Sequence, residues 1–377
     1  MRVDIELVCE AFEANFRERG ELGASVAVWQ EGEEVVSLGA GWCERERERV
    51  WKEETLVPVY SCTKGPAAVC FLMVLQEAGL SGEDWVGRVW PELGAGECGE
   101  ISFVELLSHQ AGLPALAEPV GVTERERVVE LLEETVPFWE PGSRHGYHAR
   151  SIGFVLDELS ERLVGMRLGT FWEEKLRGPL DLEFWMGLPK ELDERVATLY
   201  PGRYVIRKEE KAFYEAMKEG ESLSARAFGS LRGFQSAKEM NEREAWRGGY
   251  PSFGGVGTAR GLARFYQEVL GFGTGVIPEE VREILGKRVV DGDDQVFLGK
   301  TAFGAGMMLD PLDGEGRKLR RLFGPSEEAF GHPGAGGSHA FCDPETGISF
   351  AYVMNQMELG LFPGEKGLGL VAAVFSS

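Results

Sequence analysis

The tetrapeptide Ser-Cys-Thr-Lys at residues 61 to 64 combines a nucleophile with a base. Apolar runs flank it on both sides, so we expect a helix that begins at about Ser61. Residues i and i+3 share one face of a helix, which brings the Lys64 amine against the Ser61 hydroxyl. The first turn also directs free backbone N–H groups towards any oxyanion formed there. This spacing predicts acyl transfer through Ser61; an N-cap serine beside a solvated lysine is the structural alternative.

Tyr147 is a second candidate for proton transfer. It follows a Pro-Gly turn at 141 to 142 and precedes a predicted helix over 151 to 163, so we expect it to face a cleft. A neighbouring ammonium such as that of Lys64 would favour the phenolate, and the two groups could share one proton. The alternative is a packed tyrosine whose hydroxyl is hydrogen-bonded.

The third candidate is the glycine-rich segment F-G-H-P-G-A-G-G-S-H-A-F at residues 330 to 341. Its glycines permit close approach of the backbone, and the predicted strand that follows would keep N–H groups aligned. The segment is therefore a candidate for a second oxyanion donor. A glycine-rich turn that leads into a strand is the alternative.

With these three patterns in this order, the chain resembles the serine β-lactamase-like superfamily, in particular family VIII carboxylesterases and class C β-lactamase-like hydrolases. The resemblance spans about residues 5 to 375 and is weakest over 201 to 247. It implies an α/β (α+β) fold of the β-lactamase/transpeptidase type, in which helices flank a central antiparallel sheet and a mainly helical domain is inserted. The supporting segments are L-L-S-H-Q-A-G-L-P (106 to 114), P-G-S-R-H-G-Y-H-A (141 to 149), G-G-V-G-T-A-R-G-L-A-R-F-Y (254 to 266) and H-P-G-A-G-G-S (332 to 338).

The resemblance also implies roles for individual residues. Ser61 would attack an acyl carbonyl, Lys64 and Tyr147 would take its proton, and Tyr147 would return it to the leaving group. The backbone N–H groups of Ser61 and Ala335 would form the oxyanion hole. The residues implied in substrate binding are His332, Gly334 and Gly336.

Two positions depart from the β-lactamase pattern. Where β-lactamases show Y-x-N this chain has Y-H-A at 147 to 149, and where they show K-T-G it has H-P-G at 332 to 334. The amide that helps hold a β-lactam is thus missing, and the cation that attracts its carboxylate is at best a titrating His332. We therefore expect a carboxylesterase for short-chain acyl esters. The alternatives are β-lactamase, D-aminopeptidase or acyltransferase activity on the same residues, or a catalytically silent binding protein of this fold.

The elements that must position these groups come from both ends of the chain. A helical pattern over 4 to 19 precedes a β-hairpin with strands at 23 to 30 and 34 to 41, and short strands recur from residue 302 onward. The segments between them are mainly helical. We predict a sheet domain from residues 1–78 and 248–377, and a helical domain over 79–247 with an elaborated loop at about 201–247.

The composition narrows the class of partner. The 377 residues carry a formal net charge of −22, which disfavours nucleic acids and anionic lipids, so the expected partner is a small-molecule acyl ester. Acidic residues near the start interrupt any signal-peptide core, and six cysteines without a C-x-x-C pair indicate reduced thiols, so we expect a cytoplasmic protein. We expect no cofactor. No metal site is expected, because His145 and His148 lack a third ligand at motif spacing.

Overall fold

The computed structural model describes residues 2–202 and 206–376. The helices are α1 (Ile5–Glu18), α2 (Lys64–Glu77), α3 (Phe103–Leu107), α4 (Arg125–Glu134), α5 (Ser151–Val164), α6 (Leu168–Trp172), α7 (Gly178–Leu180), α8 (Lys211–Lys218), α9 (Leu223–Gly229), α10 (Ala237–Met240), α11 (Arg243–Arg247), α12 (Ala259–Leu270), α13 (Glu279–Leu285) and α14 (Glu365–Val374). The strands are β1 (Gly23–Gln30), β2 (Glu33–Gly41), β3 (Val57–Pro58), β4 (Val120–Gly121), β5 (Phe184–Trp185), β6 (Leu231–Arg232), β7 (Val256–Gly257), β8 (Val290–Asp293), β9 (Lys300–Phe303), β10 (Met308–Leu309), β11 (Phe330–Pro333), β12 (His339–Asp343) and β13 (Ile348–Met354).

The central antiparallel sheet is built from both ends of the chain, as predicted. Among the described residues its strand order is β2-β1-β13-β12-β11-β10-β9-β8. The N-terminal hairpin joins the C-terminal strands through β1 and β13, in a register that places Ser25 opposite Val353. Helix α12 packs across β1, β12 and β13, and β12 and β13 are buried along their whole length. Strand β11, which carries the start of the glycine-rich segment, therefore lies inside the sheet.

Helix α2 carries the Ser-Cys-Thr-Lys segment into the core. Almost every residue from Lys64 to Leu75 is buried, so the helix lacks the polar face of a surface helix. Pro66 is tolerated because it lies in the first turn, where its missing N–H has no intrahelical partner. Burial of a side chain such as Phe71 contributes about 1.5–3 kcal/mol, and packing against α5 and α6 fixes the helix. Among the described residues, no helix has the length and apolar character that crossing a bilayer requires.

The middle of the chain is mainly helical, and it differs from the prediction over 201 to 247. The described residues of that range hold α8, α9, α10, α11 and the short strand β6 instead of an elaborated loop, while residues 203–205 lie outside the described residues. Local caps stabilise these short helices: the Ser222 hydroxyl accepts from the Ala225 N–H, and Ser236 with Glu239 forms a capping box. The domain boundaries at 78 and 248 stay a prediction.

Candidate active site

Ser61 and Lys64 come together at the start of α2. Ser61 lies in a 3₁₀ turn, Ser61–Thr63, and the α-helix begins at Lys64, three residues later than predicted. A 3₁₀ turn has three residues, so positions i and i+3 eclipse each other. Lys64 Nζ accordingly lies 3.4 Å from Ser61 Oγ. The predicted contact is present although the helix start was misplaced.

Two backbone N–H groups of this first turn, which the sequence predicted to be free, donate hydrogen bonds to carbonyls. The Cys62 N–H donates to the Val59 carbonyl at 3.2 Å, and the Thr63 N–H donates to the Tyr60 carbonyl at 3.0 Å. Tyr60, directly before the nucleophile, has φ 48° and ψ −127°, a strained conformation for a residue with a side chain. Such strain costs about 1–3 kcal/mol and concentrates at functional sites. No pattern in the sequence indicated it, and the Ser61 N–H stays a predicted oxyanion donor.

Lys64 is a buried amine directed at the nucleophile. Its Nζ lies 2.7 Å from the carbonyl oxygens of both Ala149 and Ser252. Burial, and then the charge of Arg150, lowers the pKa of Lys64 well below 10.5. A neutral amine has two N–H donors and one lone pair. In that form the two carbonyls take both donors and the lone pair is directed at the Ser61 hydroxyl, the arrangement that a general base requires.

Tyr147 is buried, whereas the sequence predicted a tyrosine that faces a cleft. Only 3% of its surface is exposed, and burial raises its pKa above the ordinary value of 10 despite a hydrogen bond with Ser61. Lys64 Nζ lies 4.8 Å from the centre of the Tyr147 ring. Burial disfavours the phenolate, and it also disfavours the Lys64 ammonium that would stabilise a phenolate.

His332 is a neutral hydrogen-bond acceptor for Tyr147. Its Nδ1 lies 2.7 Å from the Pro333 carbonyl oxygen, which can only accept, so Nδ1 carries the proton. Its Nε2, 3.4 Å from Tyr147 Oη, therefore presents a lone pair to the phenol. Burial lowers the pKa of His332 to about 3. The titrating cation that the sequence allowed at this position is thus a neutral ring, and its contact with substrate stays a prediction.

The glycine-rich segment approaches the nucleophile turn as predicted. A Cβ at Gly334 would lie 2.1 Å from the Val59 carbonyl oxygen, so only glycine lets β11 and the turn meet here. Gly336 has φ 87°, and a Cβ there would lie 2.4 Å from the Met357 side chain. Ala335 lies between them in the 3₁₀ turn Ala335–Gly337 and is exposed. An oxyanion contact at Ala335 stays a prediction.

Histidines surround Tyr147 and hold its segment. The pattern L-L-S-H-Q-A-G predicts His109 as a cationic helix cap, but burial lowers its pKa well below 6.5. The His109 ring meets Tyr147 edge-on at 5.1 Å, and its Nδ1 accepts from the His148 N–H at 3.3 Å. His148 itself bonds the Gly146 carbonyl and the Leu113 N–H. Among the described residues, no group of three His, Cys, Asp or Glu side chains could hold a metal.

Comparisons with known proteins show which sequences and folds the chain is similar to. The family model described as "Beta-lactamase" matches residues 10–373. The protein named "Esterase/beta-lactamase LipL" from Mycobacterium tuberculosis (strain ATCC 25618 / H37Rv) is 28% identical over 366 residues, which cover 93% of this chain and 81% of that protein. A penicillin-binding protein homologue from Caulobacter crescentus is 30% identical with a TM-score of 0.84, over 99% of this chain and 98% of that one. A family VIII carboxylesterase gives the same identity, TM-score and coverage.

Proposed function

Since the chain belongs to the β-lactamase family and has its β-lactamase/transpeptidase-like fold, we propose that this serine hydrolase is a carboxylesterase that cleaves short-chain acyl esters through an acyl-enzyme on Ser61. One observation carries the proposal: the buried Lys64 Nζ lies 3.4 Å from Ser61 Oγ and 2.7 Å from the carbonyl oxygens of Ala149 and Ser252. A neutral amine with its two N–H groups on these carbonyls presents its lone pair to the Ser61 hydroxyl. Similarity to a family VIII carboxylesterase and to an esterase/β-lactamase supports esters as the substrate class.

Acylation begins with proton transfer from Ser61 to Lys64. As Ser61 Oγ attacks the acyl carbonyl, the Lys64 amine takes the hydroxyl proton, and the carbonyls of Ala149 and Ser252 stabilise the ammonium that forms. The carbonyl π electrons move onto oxygen and give a tetrahedral oxyanion. In this proposal the N–H groups of Ser61 and Ala335 bind it.

Collapse of the intermediate requires an acid at the leaving group. The Tyr147 hydroxyl donates its proton to the departing alkoxide and is reprotonated by the Lys64 ammonium, so the alcohol leaves neutral and the amine is restored. His332 Nε2 orients the hydroxyl. Water then takes the place of the alcohol, and Lys64 and Tyr147 act in the reverse direction. Hydrolysis of the acyl-enzyme releases the carboxylic acid and restores Ser61.

The charge distribution predicts a preference for uncharged esters over β-lactams. A β-lactam carboxylate must lose water beside the glycine-rich segment, where His332 is neutral. Arg150 is a nearby cation, but its guanidinium packs over the Phe253 ring at 4.2 Å and donates to the Gly233 carbonyl. A hydrogen bond to a charged group is worth about 1.5–3 kcal/mol. We therefore expect kcat/KM for p-nitrophenyl butyrate to exceed that for nitrocefin by about 100-fold or more.

A p-nitrophenyl ester whose acyl chain ends in a carboxylate is the matched control substrate. It keeps the leaving group and differs in charge alone, so its kcat/KM should also fall below that of the butyrate. Equal or faster turnover of nitrocefin would contradict the esterase proposal. Equal turnover of the charged and uncharged p-nitrophenyl esters would contradict the electrostatic explanation for the preference.

The lowered pKa of Lys64 predicts an acid limb in the pH profile. The neutral amine is the active form, so kcat/KM should fall as the pH drops through the Lys64 pKa, well below 10.5. Because the unfolded chain binds this proton more tightly, the unfolding free energy should rise with pH between the folded pKa and about 10.5. Measurement of kcat/KM for p-nitrophenyl butyrate against pH checks the first expectation.

A His332→Gln variant identifies the group behind this limb. Glutamine keeps an acceptor for Tyr147 and does not titrate, so the variant should retain the midpoint of the limb even where its rate is lower. A midpoint that moves with the substitution would assign the limb to His332. A rate that rises only as the pH approaches 10.5 would show that the Lys64 pKa is not lowered.

A further inference from the structure

Asp294 lies directly after β8 and binds the backbone of Tyr147. Its side chain is buried, with 2% of the residue exposed. Oδ1 accepts from the Tyr147 N–H at 3.2 Å. The same oxygen accepts from the N–H groups of Val296 and Phe297, both at 2.8 Å. One carboxylate oxygen therefore ties the Tyr147 segment to the turn that follows β8.

That turn also holds the Tyr147 ring. Phe297 stacks on it with ring centres 4.7 Å apart and an angle of 27° between the planes. The Gln295 N–H donates to the His145 carbonyl at 3.1 Å, so a backbone hydrogen bond next to Asp294 also joins the two segments. Backbone and ring of Tyr147 are thus both fixed by residues 294 to 297. The hydroxyl of the same ring lies 3.4 Å from His332 Nε2.

The second carboxylate oxygen binds a separate polar chain. The Thr301 hydroxyl donates to Asp294 Oδ2 at 2.9 Å, and His145 Nε2 lies 2.9 Å from the same hydroxyl oxygen. Because the Thr301 proton is used on the carboxylate, His145 donates to Thr301. Among the described residues, Asp294 has no basic side chain within ion-pair distance. Four hydrogen bonds, from three backbone N–H groups and one hydroxyl, take the place of a cation at this buried carboxylate.

We propose that Asp294 is a positioning residue, which holds the Tyr147 hydroxyl between Ser61 and His332 through the Oδ1 contact with the Tyr147 N–H. This inference rests on the proposed proton transfer by Tyr147. Catalytic geometry is sensitive to placement, and an error of about 1 Å can cost about 100-fold in rate. Asp294 would therefore affect kcat more than KM, because it does not touch the substrate.

The test compares substitutions that remove or keep the Oδ1 contact. Asp294→Ala removes it, and kcat for p-nitrophenyl butyrate should fall by about 100-fold while KM changes by less than about twofold. The side chain of Asp294→Ser can still accept hydrogen bonds from its own turn but is too short to reach the Tyr147 N–H. Its kcat should therefore fall as much as that of Asp294→Ala. The serine variant replaces the alanine variant in this test if the alanine variant does not fold. Asp294→Asn keeps an oxygen at Oδ1 and should stay within about fivefold of the native rate. An asparagine variant as slow as the serine variant, or a folded serine variant with native kcat, would overturn the proposal.

Thr301→Val is the matched control for a purely structural role. It breaks the Oδ2 chain to His145 and leaves the Oδ1 contact, so it should lower the melting temperature and keep kcat within about twofold. A loss of kcat equal to that of the alanine or serine variant would show that damage to the buried network, and not position, is responsible.

A double-mutant cycle separates failure of this inference from failure of the proposed function. In a Tyr147→Phe background there is no hydroxyl left to position. Adding Asp294→Ser should therefore lower kcat by less than about threefold further. Full additivity would overturn the positioning role. If Tyr147→Phe alone kept native activity, the proton transfer assigned to Tyr147 would fail, and with it the premise of this inference.

Discussion

Replacement of Ser61 by alanine is expected to abolish ester hydrolysis, with a loss in kcat of about 10⁴-fold or more. No neighbouring group can take over, since burial raises the pKa of the adjacent Cys62 thiol and keeps it protonated. The fold should survive, because the N-cap of this 3₁₀ turn is Tyr60 and not Ser61, so the substitution removes no cap and should cost about 1 kcal/mol or less. Rates with p-nitrophenyl butyrate and the melting temperature check both parts.

Mass spectrometry identifies the nucleophile directly. After brief incubation with an activated ester or a fluorophosphonate probe, one group should be attached to the peptide that contains Ser61, and Ser61→Ala should show none. Ser338→Ala is the matched control: Ser338 is fully buried, and its hydroxyl has no partner among the described residues, so this variant should keep its labelling and its rate. Labelling at Ser338 would refute the site assignment. Absence of any labelling would favour a silent binding protein of this fold.

Lys64→Ala and Tyr147→Phe are each expected to lower kcat by about 10³-fold, and their effects should not add. Both residues serve one proton transfer, so the double variant should lie within about tenfold of the slower single variant. The tyrosine substitution removes only the hydroxyl and keeps the ring stacked on Phe297. A steady-state series with p-nitrophenyl butyrate, together with melting temperatures for all three variants, measures the coupling.

Two controls make this result decisive. Lys64→Met fills more of the buried space than alanine but has no lone pair on nitrogen, so it should be as inactive as Lys64→Ala if the amine is the base. Near-native activity of Tyr147→Phe across the pH range would show that Tyr147 is a packed tyrosine without a role in proton transfer. If the fold losses in kcat of the two single variants multiplied in the double variant, Lys64 and Tyr147 would have independent roles.

The sequence by itself predicted the contact between the proposed nucleophile and its proposed base, because that contact is local. Ser61 and Lys64 are three residues apart, and both a 3₁₀ turn and an α-helix bring such positions together, so the misplaced helix start did not matter. The sheet was predictable for a similar reason, since alternation over 23 to 41 and the short C-terminal strands are properties of neighbouring residues. The capping box at Ser236 and Glu239 was also present in the sequence as S-x-x-E, and it signals the helices found where a loop was predicted.

Only the tertiary structure decided how the site is charged and aligned. The directions in which the pKa values of Lys64, Tyr147 and His332 shift follow from burial by segments far away in the chain, and residue type alone supplies only the ordinary pKa. The contact between Asp294 and the Tyr147 N–H joins positions 147 residues apart, and an aspartate near a turn has no sequence signature for it. Local spacing determines which chemical groups can meet within a turn of helix. Desolvation and long-range hydrogen bonds depend on the packing of the whole chain, so they determine which of those groups carries the proton and where it lies.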